Sequence, residues 1–397
     1  MRHVVILGST GSIGCSTLSV LAMHSQQFEV LALTAASQTS KLLAQCLEFR
    51  PRFAAMLCPN AAAELKTALK QHGCATEVMA GPEALNELAA HPDADIVVAA
   101  IVGAAGLLPT LAAVEQGKTV LLANKEALVM SGELFMDKVV RHGATLLPID
   151  SEHNAIFQCL PPAFQHAKKR PALAELGVAK LLLTGSGGPF LSRTINSLPS
   201  VTVAEAVAHP NWSMGQKISV DSATMMNKGL EFIEARWLFN CAPADIEVVI
   251  HPQSIIHSMV QYTDGSVLAQ LGQPDMRTPI AHALAFPERI SSPVPPLDFS
   301  QLANFSFSKP EPERYPNLYL AIAACAAGQG ATTALNAANE VAVAAFIAGQ
   351  LRFTDICRVN ENCLAHFLNY ATRSLDDIVA LDFEARAYAQ QLLRTLN

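Results

Sequence analysis

The chain has 397 residues, of which 51% are hydrophobic and 15% charged, and it carries a formal net charge of -7. At about 100–200 residues per domain this is two or three domains, and a charged fraction well below the usual ~25% excludes a largely disordered chain. The balance of 27 Lys+Arg against 34 Asp+Glu argues against a nucleic-acid partner, which demands broad phosphate neutralisation, but it leaves room for a small anion held by a few local cations.

The first part, residues 1–149, alternates strand and helix signals. Strands are predicted at Val4–Leu7, Phe28–Thr34, Phe53–Leu57, Ile96–Ile101, Thr119–Ala123 and Thr145–Ile149, each nearly continuous in apolar residues. Strands buried on both faces read this way. Helical patterns at Leu42–Phe49, Ala61–Gln71 and Glu126–Arg141 lie between them, which predicts a Rossmann-like, doubly wound parallel sheet. The run from Ile96 to Leu108 is the longest apolar one, yet it holds Gly103 and Gly106 and stops at Pro109. It falls short of the about 18 residues of a membrane span, so no membrane partner is expected. Val4–Leu7 is too brief for a signal-peptide core.

The second part, 150–290, has a strand signal at Lys180–Thr184, a long helix signal from Ser222 to Phe239, and a hairpin signal in which Ile255–Tyr262 and Ser266–Leu271 flank Asp264-Gly265. It reads as a central α+β domain with a partly antiparallel sheet. Residues 291–316 are Pro-rich and read as an extended linker. In 317–397 the patterns Leu318–Ala327, Ala334–Ala348, Asp355–Tyr370 and Leu375–Leu396 predict a C-terminal helical bundle. The nine Cys are scattered, odd in number and form no CxxC, as expected of reduced thiols in a cytoplasmic protein.

Three places carry chemistry. The first strand runs into Gly8, Gly11 and Gly14 and then a helix. Small residues there let a pyrophosphate approach the backbone, and the helix N-terminus favours its charge; a tight turn without a ligand is the alternative. The second strand ends in Ala36, Ser37 and Gln38 with no acid to bond ribose hydroxyls, which points to NADP rather than NAD; Lys41 is the nearest cation. Next, Asp150 and Glu152 follow a strand, two residues apart, as on an extended tip, and Glu231 shares a helical face with Asn227 and Lys228. Three oxygen donors without His or Cys suit Mg²⁺ or Mn²⁺; Asp150 as a helix cap is the alternative. Last, the Gly-rich loop around Ser186, with Ser222, Asn227 and Lys228, has the donors of a phosphate cradle. Between them, Trp212 in a Pro/Gly-bounded loop reads as a lid or as a surface anchor.

Together these segments resemble the 1-deoxy-D-xylulose 5-phosphate reductoisomerases. The motifs are Gly8 to Gly14, Ala123 to Glu126, Pro148 to His153, Thr184 to Pro189, His209 to Gly215, Ser222 to Glu231 and Ala334 to Glu340, over essentially the whole chain. The resemblance implies NADPH and a divalent metal, and conversion of 1-deoxy-D-xylulose 5-phosphate to 2-C-methyl-D-erythritol 4-phosphate in non-mevalonate isoprenoid synthesis. It implies metal ligation by Asp150, Glu152 and Glu231, and catalytic roles for Lys125, Glu152 and His209. Substrate contacts fall on Lys125, Ser151, Glu152, Ser186 and His209, and on Ser222, Asn227, Lys228 and Glu231. Cofactor contacts fall on Thr10, Gly11, Ser12 and Ile13, on Ala36, Ser37 and Gln38, and on Asn124, Glu126 and Gly215; Trp212 and Met214 form the lid. Members are typically homodimers. One departure stands out: the Gly-Lys/Arg-Asn-like run that often follows the second strand is Ala36, Ser37, Gln38 here. Two other readings are a semialdehyde dehydrogenase using Cys159 as nucleophile and a non-enzymatic NADP sensor.

Overall fold

The computed structural model describes residues 1–397 apart from 209–211, 213, 214, 303 and 397, and describes residue 396 by its backbone alone. The chain divides into two compact units, and the chain passes between them more than once. The first comprises residues 1–127, 135–154 and 275–295; the second comprises 128–134, 155–274 and 296–397.

The first unit is built on seven strands: β1 (Arg2–Leu7), β2 (Phe28–Ala35), β3 (Phe53–Met56), β4 (Glu77–Ala80), β5 (Ile96–Ala99), β6 (Thr119–Leu122) and β7 (Thr145–Pro148). All neighbours are parallel, in the order β4-β3-β2-β1-β5-β6-β7. The chain winds one way from β1 to β4 and the other way from β5 to β7, so the doubly wound reading holds. Ligand crevices in such sheets lie where the winding reverses, here at the carboxyl ends of β1 and β5. Val4 to Leu7 are wholly buried, which is why this stretch reads as a continuous apolar run. Strand β4 escaped the sequence reading. It is an edge strand, Glu-Val-Met-Ala, exposed or half-buried throughout, so it lacks the apolar run of its neighbours.

Among its described residues the second unit holds four more strands, β8 (Val178–Gly185), β9 (Ile246–Ile250), β10 (Ile256–Tyr262) and β11 (Val267–Leu271), in the order β11-β10-β8-β9. The hairpin is antiparallel, as its Asp-Gly turn predicts, whereas β8 and β9 are parallel. The helix expected from Ser222 to Phe239 is two helices, Gln216–Ala223 and Met226–Leu238. The break is at Met225, which is left-handed with φ 59°. Met is a good helix former, so nothing in the local sequence marks that break. The C-terminal bundle consists of Pro316–Ala327, Gln329–Ile347, Asp355–Phe367 and Leu375–Leu396. Its Ala-rich faces bury against each other and against Phe190, Val220 and Ala223. Among the described residues no helix is long and apolar enough to cross a membrane.

Candidate active site

In the first unit, β1 delivers the chain into a turn that only glycine can make. Gly8 has φ +81°, and a Cβ there would stand 2.9 Å from the Ala100 carbonyl oxygen. A Cβ on Gly14 would overlap Ser9. The helix Ser12–Ala22 starts after Gly11 with no capping side chain. Its first-turn N–H groups and the positive end of its dipole are therefore offered to an anion, which fits the pyrophosphate of a dinucleotide. The end of β2 is stitched to this turn: Gly8 N donates to Thr34 Oγ1 at 2.9 Å and Ser9 N to the Thr34 carbonyl at 2.8 Å. Thr10, Gly11, Ser12 and Ile13 thus share one corner with Ala36, Ser37 and Gln38, all three of which are exposed. Asn124 caps the helix Lys125–His142 by accepting from Ala127 N at 2.8 Å. Its amide also donates to the carbonyls of Gly103, at 2.9 Å, and Ile101. Asn124, buried like Glu126, is so tied to the loop after β5, and its amide lies 3.5 Å from Glu126 Oε2.

The carboxylates of this unit differ in one respect from the expectation. Helix Ser151–Cys159 begins directly after Asp150, so Glu152 lies in a first helical turn and not on an extended tip. Asp150 Oδ2 pairs with Lys125 Nζ at 2.6 Å, both side chains being largely buried. Ser151 Oγ donates to Glu152 Oε2 at 2.5 Å. The helix start is locked from behind. Asn154 N donates to the Asp150 carbonyl at 2.8 Å, and its side-chain amide donates to the Pro148 carbonyl at 2.9 Å and meets His282 Nδ1 at 3.1 Å. Burial, with the Arg289 charge adding to it, pushes His282 down to about 4, so its neutral ring can accept that bond.

In the second unit the loop after β8 packs directly on the two helices that follow. Gly188 is left-handed at φ +69°, and a Cβ there would stand 2.7 Å from the Ser222 carbonyl oxygen; one on Gly185 would stand 2.9 Å from Lys228 Cε. The elements bearing Ser186, Ser222, Asn227 and Lys228 therefore converge. Ser186 Oγ accepts from Gly188 N at 3.1 Å. Lys228 is buried with its ammonium on Glu231, and Asn227 Nδ2 donates to the other oxygen of Glu231 at 2.5 Å. These are the i+3 and i+4 pairs that the spacing predicts. Gly215 precedes the helix Gln216–Ala223 in open space. Trp212 is half-buried, its ring 6.3 Å from that of His257. His209 and Met214 lie outside the described residues.

Sequence reasoning missed several supports of this loop. Buried Tyr315 donates to the Gly187 carbonyl at 2.9 Å. Thr184 Oγ1 donates to the His257 carbonyl at 2.7 Å. His257 is pushed down to about 4, chiefly by burial, with Lys228 and His251 contributing. Each acts across a long chain separation, and no local pattern flags it. Cys159, the alternative nucleophile, is buried, and burial raises its thiol to about 11. A protonated, enclosed thiol is a poor nucleophile, which removes the semialdehyde dehydrogenase reading.

The carboxylates of each unit have the chemistry that a hard cation takes. Asp150, Glu152 and Glu231 offer carboxylate oxygens only, and Asp150 and Glu231 each already draw a positive ammonium. Residues 4–132 match the family described as 1-deoxy-D-xylulose 5-phosphate reductoisomerase, and 146–239 and 271–388 match descriptions of its C-terminal domains. The chain is 64% identical over 397 residues to the 1-deoxy-D-xylulose 5-phosphate reductoisomerase of Aeromonas hydrophila, covering 100% of both. The enzyme of Tolumonas auensis is 60% identical over 396 residues, again covering 100% of both. A crystal structure of DOX-P reductoisomerase with NADPH, fosmidomycin and magnesium superposes with a TM-score of 0.95 at 48% identity, covering 100% of this chain and 99% of that one. The Zymomonas mobilis enzyme in complex with NADPH gives 0.91 at 46% identity, covering 100% of both. Its matched regions and full-length relatives make this chain a member of the 1-deoxy-D-xylulose 5-phosphate reductoisomerase family.

Proposed function

We propose that the chain converts 1-deoxy-D-xylulose 5-phosphate to 2-C-methyl-D-erythritol 4-phosphate, using NADPH and Mg²⁺ or Mn²⁺, in isoprenoid precursor synthesis. The observation that carries the reading is the packing of the Gly185–Gly188 loop on Ser222 and Lys228, a polar cradle for the substrate phosphate, in a chain of this family. When bound, the metal supplies a Lewis acid and template for two substrate oxygens, and NADPH supplies the hydride.

The chain's own residues do the rest. Asp150, Glu152 and Glu231 hold the metal. Ser186, Ser222, Asn227 and Lys228 grip the phosphate, binding energy remote from the reacting carbons. Lys125, Ser151 and His209 contact the sugar, and Glu152 takes and returns the proton of a substrate hydroxyl. Thr10 to Ile13, Asn124, Glu126 and Gly215 position the cofactor, with 36–38 beside the adenosine ribose. Trp212 and Met214 close over the substrate and keep water from the intermediate. Residues 1–149 serve the cofactor, 150–290 the chemistry and 317–397 the support of that region, with 291–316 as linker. The protein works as a homodimer in the cytoplasm. Nine free thiols support that compartment, and the exposed Val267 and Leu268 on edge strand β11 support a partner subunit.

The test is NADPH consumption on 1-deoxy-D-xylulose 5-phosphate with and without EDTA. Metal-dependent oxidation yielding the branched-chain product is expected. Absence of turnover with Mg²⁺ or Mn²⁺ restored, or undiminished turnover in EDTA, sinks the reading. An NADP sensor that is no enzyme predicts binding without turnover.

A further inference from the structure

We infer that Lys41 supplies the cation missing after β2 and is the residue that selects a 2′-phosphorylated dinucleotide over its unphosphorylated counterpart. The inference rests on the cofactor reading above. A dinucleotide whose pyrophosphate sits at the Gly8–Gly14 turn places its adenosine ribose at the end of the adjacent strand. Here that strand is β2, hydrogen-bonded to β1 and tied to the turn through Thr34. Ala36, Ser37 and Gln38 follow it, all exposed. They bring no carboxylate to bind two ribose hydroxyls or to repel a phosphate, but no positive charge either.

The charge comes from the next element. Helix Thr39–Phe49 starts after Gln38 without a side-chain cap or an acidic residue in its first turn, so its positive dipole end faces the same place. Lys41, in that first turn, reaches back to the glycine turn and donates from Nζ to the Thr10 carbonyl at 2.7 Å. An ammonium has three donors. One is spent on Thr10, which fixes the group beside the nucleotide turn, and the side chain is otherwise exposed at the rim. Thr39, the competing hydroxyl, already donates its proton to Glu64 Oε2 at 3.4 Å. Lys41 therefore does from the helix what a basic residue directly after the strand does elsewhere in the family. Neither the spacing nor a motif reveals this, because the contact is made by the fold of the side chain back onto residue 10.

The experiment measures dissociation constants for NADPH and NADH by nicotinamide fluorescence, without substrate, on the wild type, Lys41→Met and Lys41→Arg. Lys41 is on the surface, so the fold survives, which circular dichroism checks. Lys41→Met should weaken NADPH about ten-fold, the loss of one charge-assisted phosphate contact, and leave NADH within about two-fold; Lys41→Arg should retain the preference. Unchanged NADPH binding in Lys41→Met overturns the inference. So does an equal loss for both nucleotides, which makes Lys41 a tether for the Thr10 turn only. Binding of neither nucleotide by the wild type overturns the cofactor reading and this inference together.

Discussion

At Gly188 a methyl group has nowhere to go. Its φ of +69° and the Ser222 carbonyl 2.7 Å from a Cβ make Gly188→Ala strained twice over. The variant should lose about 1–3 kcal/mol of stability and raise KM for the sugar phosphate by about ten-fold or more. NADPH affinity should stay put; melting curves and steady-state kinetics check both. Glu152→Gln keeps the shape and the Ser151 hydrogen bond but removes the proposed base. Turnover should fall at least about 100-fold, the scale of a lost general base, with NADPH binding intact by fluorescence; preserved turnover would remove Glu152 from proton transfer. His257 and His282 belong to this scale as well. Burial holds both near 4, against about 6.5 in an unfolded chain. As pH falls, the unfolded chain takes up these protons first. The stability that neutral burial contributes is whole above about pH 6.5 and is lost progressively toward pH 4, about 2 kcal/mol per ring by pH 5. Urea midpoints should therefore drop between pH 7 and 5, and His282→Gln should flatten that drop; an equal slope in the variant would clear His282 of the effect.

Among elements, the informative feature is how the C-terminal bundle holds helix Gln216–Ala223. Asp221, wholly enclosed next to Ser222, is paired with Lys217 Nζ at 3.0 Å and accepts from Asn339 Nδ2 at 2.7 Å. Asn339 Oδ1 in turn accepts from Asn360 Nδ2 at 3.2 Å, and Asn360 also donates to Asn317 Oδ1 at 2.9 Å. Three helices of the bundle thus meet at one buried amide chain in an Ala-rich core. Buried polar groups cost free energy unless paired, and pairing makes their geometry specific. The helix Met226–Leu238 is indexed differently, through close packing: a Cβ on Gly229 would overlap Ala321. Two independent contacts on either side of the Met225 break set the spacing of Ser222 from Asn227 and Lys228. Asn339→Leu should cost about 3 kcal/mol, the scale of taking one partner from a buried charge, read as a lowered thermal midpoint. A midpoint within about 1 °C of the wild type would show that the amide chain is energetically idle.

For the whole molecule, the apolar edge of β11 is an exposed sheet edge with no strand partner among the described residues. Val267 and Leu268 are about half exposed at the end of a four-stranded sheet, and open edges of that kind pair with other chains unless charged or covered. On the proposed homodimer built through this edge, Leu268→Lys should convert dimer to monomer in analytical ultracentrifugation, with circular dichroism unchanged. A variant that sediments like the wild type would place the subunit contact elsewhere.

Much of this was legible in the residue order. The alternation of apolar strands and helices, the glycine turn at residues 8–14, the Asp-Gly hairpin and the i+3 and i+4 grouping of Asn227, Lys228 and Glu231 are all short-range signals, because burial periodicity and turn chemistry act over a few residues. What the tertiary structure decided is pairing. Strand β4 exists because β3 offers it an edge, and its own sequence is too polar to announce it. The helix break at Met225 suits packing that no propensity encodes. Tyr315 on Gly187, Asn339 on Asp221 and Lys41 on Thr10 join residues 128, 118 and 31 positions apart. Such partners are chosen by which surfaces the closed chain brings together, a property of the folded whole that no window along the chain contains.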